Sequence, residues 1–210
     1  MKKDLKIKLF WEWFLTEKKR IERFYLDEDA LNLEQLLNPE VLKIDPQLKW
    51  EIGPGLKKEM FLAISPNGSK DRLSLTKEVV AAAPVIRQWE FYWARPPKAW
   101  DLKFDLISRD GHIEHINAQK WQYALLRYND NKGFDLIIVP IGTENISSND
   151  MQRAAHIAVQ GQLGEETFLN TIEKIIVEYT ADKQYAEELS PLQDVRNHIK
   201  FIKGKMSKSL

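Results

Sequence analysis

The chain has 210 residues, enough for one domain at roughly 150 residues each and for a core that needs no disulfide or metal staple. Its 31 Lys and Arg balance 31 Asp and Glu, which removes the basic excess expected of a protein that binds nucleic acid or an anionic membrane. The absence of cysteine excludes disulfides, zinc–thiolate sites and cysteine nucleophiles, and 43% hydrophobic residues with 7 Trp, 6 Tyr and 9 Phe exclude disorder.

Residues 4–26 predict an amphipathic N-terminal helix, because Ile7, Phe10, Trp11, Phe14, Ile21, Phe24 and Tyr25 recur at helical spacing while Glu12, Lys18, Lys19 and Glu22 take the other face. Asp4 is the expected cap. Trp11 and Trp13 lie about 200° apart on such a helix, so one needs cover from a second element, such as the last helix or a partner chain. The segment opens like a basic signal peptide, but Lys6, Lys8 and Glu12 interrupt the apolar run, and no stretch approaches the roughly 20 residues of a spanning helix. The expectation is a soluble, cytoplasmic protein. A second helix over 29–37 stops before Pro39.

Strands over 50–52 and 60–65 flank Gly53-Pro54-Gly55 as a β-hairpin, and Ser65-Pro66-Asn67-Gly68 closes the second. Residues 73–83 read as a helix ended by Pro84. In 88–94, Trp89, Phe91 and Trp93 alternate with Glu90 and Tyr92, and Arg95-Pro96-Pro97-Lys98 must then leave the sheet, since neither proline can donate to a ladder. Leu102, Phe104 and Leu106 alternate with Asp101, Lys103 and Asp105 as a half-buried strand, and 113–117 returns after an Arg109-Asp110-Gly111 turn. Strands 121–128 and 134–139 flank a polar loop over 129–133, the second apolar enough to be central. Helices follow over 150–163, capped by Asn149 or Asp150, and over 165–172. A strand through Ile175, Val177 and Tyr179, a helix over 192–202 and a flexible tail over 203–210 complete the order. Clustered strands between helices predict a single α+β domain over 1–210, with a largely antiparallel sheet of about six to eight strands.

The chemical motifs are few. Gly53-Pro54-Gly55 lacks the third glycine of a dinucleotide fingerprint, and Pro54 removes a donor that a phosphate cradle would need. His112 and His115 fall on opposite faces of a strand, so they make no metal pair, and His156 reads as a partly buried, hydrogen-bonded side chain. Ser65 lacks the strained turn of a nucleophile, and Glu165 and Glu166 read as complements to a helix N-terminus. No catalytic residue, metal or cofactor is expected.

The richest segment is Trp89 to Trp100, with five aromatics, one Arg and one Lys in twelve residues. It reads either as core or as a recognition surface made of Trp93, Arg95, Pro96, Pro97, Lys98 and Trp100, residue types that dominate binding hot spots. Phe10-Trp11-Glu12-Trp13-Phe14, Trp50-Glu51-Ile52-Gly53-Pro54-Gly55, Leu62-Ala63-Ile64-Ser65-Pro66-Asn67-Gly68, Trp89-Glu90-Phe91 with Arg95-Pro96-Pro97-Lys98, and Leu163-Gly164-Glu165-Glu166 together resemble a group of uncharacterised bacterial proteins. The resemblance implies a small bacterial α+β protein, sometimes of accessory or immunity-like type, with no established activity and so no catalytic residue to carry over. The function expected is a non-catalytic protein-interaction module, with a protein partner or a homo-oligomer and neither nucleic acid nor membrane. The alternative is an enzyme or small-molecule binder whose pocket gathers Glu51, Ser65, Arg95 and Asp101.

Overall fold

The N-terminal apolar stripe folds as helix α1 (Lys3–Leu26), which buries Ile7, Phe10, Trp11, Phe14 and Ile21, with Phe24 and Tyr25 half-buried beside them. The computed structural model describes residues 2–127, 133–143, 146–180 and 185–206. Contacts within the chain gather into two compact units, Met1–Pro96 and Pro97–Leu210.

In the first unit α1 is not capped by Asp4. Lys2 is the extended capping residue, it makes no side-chain cap bond, and Asp4 sits within the first turn. Helix α2 (Ala30–Ile44) begins as expected, with Asp29 accepting from the Asn32 amide, but runs through Pro39 instead of stopping before it. The reason is packing: Leu33, Leu37, Val41 and Ile44 continue one buried stripe past the proline. Burying a Val or Ile is worth about 1.5–3 kcal/mol each, which outweighs the roughly 3 kcal/mol penalty of an interior proline.

Strands β1 (Lys49–Pro54) and β2 (Met60–Ser65) form the expected antiparallel hairpin, with Trp50 opposite Ile64. All six residues of β2 are buried. Asn67 and Gly68 take positive φ values, 51° and 75°, in the turn that follows. Helix α3 (Leu73–Ala81) then carries the chain to β3 (Trp89–Tyr92), which pairs parallel to β2 with Phe91 opposite Leu62. The element that covers Trp11 is α3, whose Val79 carbonyl accepts from the Trp11 indole at 2.7 Å. Trp13 stays half-buried beside Phe10.

In the second unit β4 (Lys103–Ile107) and β5 (Ile113–Asn117) pair alone as an antiparallel hairpin. Strands β6 (Gln122–Arg127) and β7 (Phe134–Val139) pair antiparallel; of the loop expected between them, residues 129–132 lie outside the described residues. Helices α4 (Ser148–Leu163) and α5 (Glu165–Thr171) lead to β8 (Ile172–Val177), parallel to β7. A two-residue strand, β9 (Ser190–Pro191), flanks β6, and α6 (Val195–Met206) ends the described chain. The cap of α4 is Ser147, whose hydroxyl accepts from the Asp150 amide, in place of Asn149 or Asp150. The tail expected from residue 203 is helical to Met206, and residues 207–210 lie outside the described residues.

The α+β class holds, with six helices and nine strands among the described residues. The single sheet of six to eight strands does not: the strands form three sheets, ordered β1-β2-β3, β4-β5 and β8-β7-β6-β9. The β2–β3 ladder ends at Tyr92, and Pro96 and Pro97, which cannot donate to a ladder, lie between it and the next sheet; β4-β5 is closed by its own turn at Gly111, φ 83°. Four of the six strand pairings are antiparallel; the two parallel ones follow helical crossovers. As expected, β7 is central, with five of its six residues buried.

Candidate functional site

Within the first unit the sheet ends in β1 on one side, and a recess of about 450 Å³ opens along it. Its walls are Lys49, Trp50, Glu51 and Ile52 of β1, Glu34 and Asn38 of α2, and Arg95 from the segment after β3. The Trp50 indole donates to Asn38 Oδ1 at 2.8 Å, which fixes the ring against the helix. Arg95 Nε lies 3.3 Å from Glu51 Oε2, and both side chains are about one-third exposed, at 34% and 29%. Two carboxylates and two cations thus converge around one tryptophan. Of the pocket expected from sequence, the fold joins Glu51 and Arg95. Ser65 pairs in register with Lys49 but is fully buried and does not line the recess, its hydroxyl accepting from the Asn67 amide, and Asp101 belongs to the second unit, ion-paired with Lys103. Sequence reasoning missed Glu34, Asn38, Lys49 and Trp50 as lining residues, because no local pattern announces a contact between helix and strand.

The aromatic segment divides by burial. Trp89 is buried and Phe91 half-buried in the first core, whereas Trp93 lies past the end of β3 and is 39% exposed, with Lys77 Nζ 5.6 Å from its ring centroid. Pro96 closes the first unit and Pro97 opens the second. There the Lys98 amide donates to the Gly161 carbonyl at 2.8 Å, and Pro97 lies against Gly164. Trp100 packs on Gly161 and stacks on Phe104 at 5.4 Å, and Lys98 Nζ sits 5.5 Å from the Trp100 ring centroid. Glycines at 161 and 164 therefore make room for the segment 97–100.

The hairpin loop between β1 and β2 is clamped by Glu90. Its carboxylate accepts from the backbone amides of Lys57 and Lys58 and from the Tyr92 hydroxyl, while Lys58 Nζ donates to the carbonyls of Ile86 and Trp89 at 2.8 and 2.9 Å. Burial pushes the Glu90 carboxyl up, but the hydrogen bonds from Tyr92, Lys57, Lys58 and Leu56 outweigh it and hold the group below its ordinary 4.5. Burial and then Glu90 push Tyr92 up to about 12. With a folded pKa below the unfolded one, the clamp contributes its full stability above the unfolded pKa and loses it as pH falls through the folded value. Glu90→Gln is therefore expected to flatten the acid limb of an unfolding titration followed by circular dichroism. Identical acid limbs for the two proteins would show that the clamp does not form.

His112 and His115 make no joint site: His115 Nδ1 lies 2.6 Å from Asp105 Oδ1 at an exposed position, and the His112 amide donates to the Ser108 hydroxyl. His156, expected partly buried, presents an exposed surface on α4 while its ring meets Phe168 edge to face, and partial burial there holds its imidazole below its ordinary 6.5. Glu165 and Glu166 stand in the first turn of α5, Glu165 fully buried. Among the described residues no three His, Cys, Asp or Glu gather as metal ligands. No helix of the described chain is long and apolar enough to cross a membrane.

A second concavity of the first unit, about 600 Å³, lies between α1 and the end of α3, with an apolar floor that includes Ile7, Trp11, Ala81 and Pro84 and a charged rim that includes Asp4, Lys8, Glu12 and Glu78. The rim charges are largely matched, Lys8 with Glu12 and Glu78 with Lys3. Among protein-family models, curated proteins and solved structures, none matches this chain.

Proposed function

We propose that the chain is a non-catalytic protein-interaction module of cytoplasmic setting, and that the first unit receives the partner at the recess beside β1. One observation carries this reading: Trp50 and Arg95, two of the residue types that dominate binding hot spots, line the same concavity with Glu51 between them. Trp93, exposed two residues before Arg95, supplies a further aromatic contact.

The test is capture of partners by the tagged chain at natural expression, with the Trp93→Ala/Arg95→Ala variant in parallel. Trp100 is left in place because it packs against Gly161. The Arg95 pair is partly exposed, and such pairs contribute about 0–1 kcal/mol, so the variant is expected to stay folded by circular dichroism. Hot-spot truncation costs about 2 kcal/mol or more per residue, so the purified partner should bind the double variant roughly 1000-fold more weakly. Equal retention of the same partner by both proteins would refute the reading.

The alternative, a small-molecule site, draws on one feature of the same recess. Its charges of both signs, Lys49 and Arg95 with Glu34 and Glu51, of which Arg95 and Glu51 are paired, suit a small zwitterion. A rise in melting temperature with free amino acids, lost in Arg95→Ala, would favour it.

A further inference from the structure

Charge in this chain is balanced overall and segregated locally. Five of its 31 basic residues and none of its 31 acidic ones fall within 195–210, so that stretch carries a net +5 and the remainder a net −5. Helix α6 orders the first part of it. Val195 and Ile199 are buried and Ile202 is packed against the core of the second unit, and each is followed by a cation: Arg196, Lys200 and Lys203. The cations repeat at i, i+4 and i+7, so they form one row about 100° around the helix from the buried stripe, its last member Lys203 also donating to the Thr171 hydroxyl. Neither Arg196 nor Lys200 has an ion-pair partner among the described residues. Across the outward face, past the small residues Asn197 and Gly204, Phe201 stands 60% exposed.

We infer that the outward face of α6, bearing the Arg196–Lys200–Lys203 row and Phe201, is a docking surface for an anionic lipid bilayer. Charge complementarity selects an anionic surface, since this helix has no acid of its own. Single-stranded nucleic acid stacks successive bases on several aromatics, whereas this helix offers one exposed aromatic, Phe201; at a bilayer interface one aromatic enters the headgroup region while Lys and Arg extend their stems to phosphate. Net charge argued against membrane association because it averages over the chain, whereas a polybasic contact is felt within a Debye length of the surface. The contact is peripheral and is distinct from the recess proposed for a protein partner.

The test is co-sedimentation of the full chain with phosphatidylcholine vesicles, with and without about 30% phosphatidylglycerol, at about 50 and 500 mM salt. Binding is expected on the anionic vesicles at low salt only. Arg196→Glu/Lys200→Glu should weaken it about tenfold or more, because each cation near the surface contributes separately. Arg196→Lys/Lys200→Arg should retain it, which separates charge from a folding defect. Phe201→Ala should weaken binding while leaving its salt dependence in place. Failure of the natural chain to sediment with anionic vesicles at low salt would overturn the inference. So would equal binding by the Glu variant, or tighter binding to a single-stranded oligonucleotide than to the vesicles.

Discussion

Phe14→Ala is expected to destabilise the first unit by about 4 kcal/mol, near the middle of the range for a buried phenylalanine. Phe14 is fully buried at the centre of an aromatic cluster. Trp89, Trp11 and Phe91 meet it edge to face, with ring centroids at 5.0, 5.6 and 5.6 Å, and Phe10 lies tilted at 6.4 Å. What decides the cost of a cavity is how far its walls can close. Here two of the walls are pinned: Trp11 Nε1 donates to the Val79 carbonyl and Trp89 Nε1 to Glu22 Oε1, each at 2.7 Å. Collapse would forfeit those bonds or leave the hole. Phe14→Leu keeps most of the volume and should cost under about 1.5 kcal/mol. Urea unfolding, with amide exchange read on peptides from α1, β2 and β3, gives both numbers; a loss below about 2 kcal/mol for alanine would mean that the cluster closes over the gap.

Gly164→Ala carries the second large effect, about 3 kcal/mol in the second unit, from two causes that add. Gly164 joins α4 to α5 at φ 76° and ψ 152°, a region open almost only to glycine. Its amide still donates to the Gln160 carbonyl, so the backbone is held there from the α4 side. A Cβ would also stand 2.8 Å from Pro97 Cδ, inside van der Waals contact, and proline has no rotamer with which to withdraw. Gly111→Ala is the control: φ is 83° but nothing lies within 4 Å of the added carbon, so only the backbone term of about 1–2 kcal/mol applies. Urea midpoints that place the two variants together would remove Pro97 from the account.

Much of the chain was legible because its signals are local. Strand β2 was read to the residue, since an apolar run lies between two turn-forming clusters, and β5 and β7 were read to the residue as well. Where the local rule competed with packing, packing won. Pro39 should have ended α2, yet Val41 and Ile44 had a core to enter. Alternation placed Trp89, Phe91 and Trp93 on one face, but β3 ends at Tyr92, so Trp93 escapes the core that holds the other two.

The sequence by itself determined the α+β class, the amphipathic first helix, the hairpins and the lack of recognisable phosphate and nucleophile motifs, because these depend on residue type and on spacings of two to seven. Only the tertiary structure decided which strands share a sheet and which polar groups share a recess. Asn38 meets Trp50 across a helix-to-strand connection, and Arg95 meets Glu51 from 44 residues away. Such meetings follow from how buried faces stack, and the energy that brings them about resides in the apolar core rather than in the polar residues brought together.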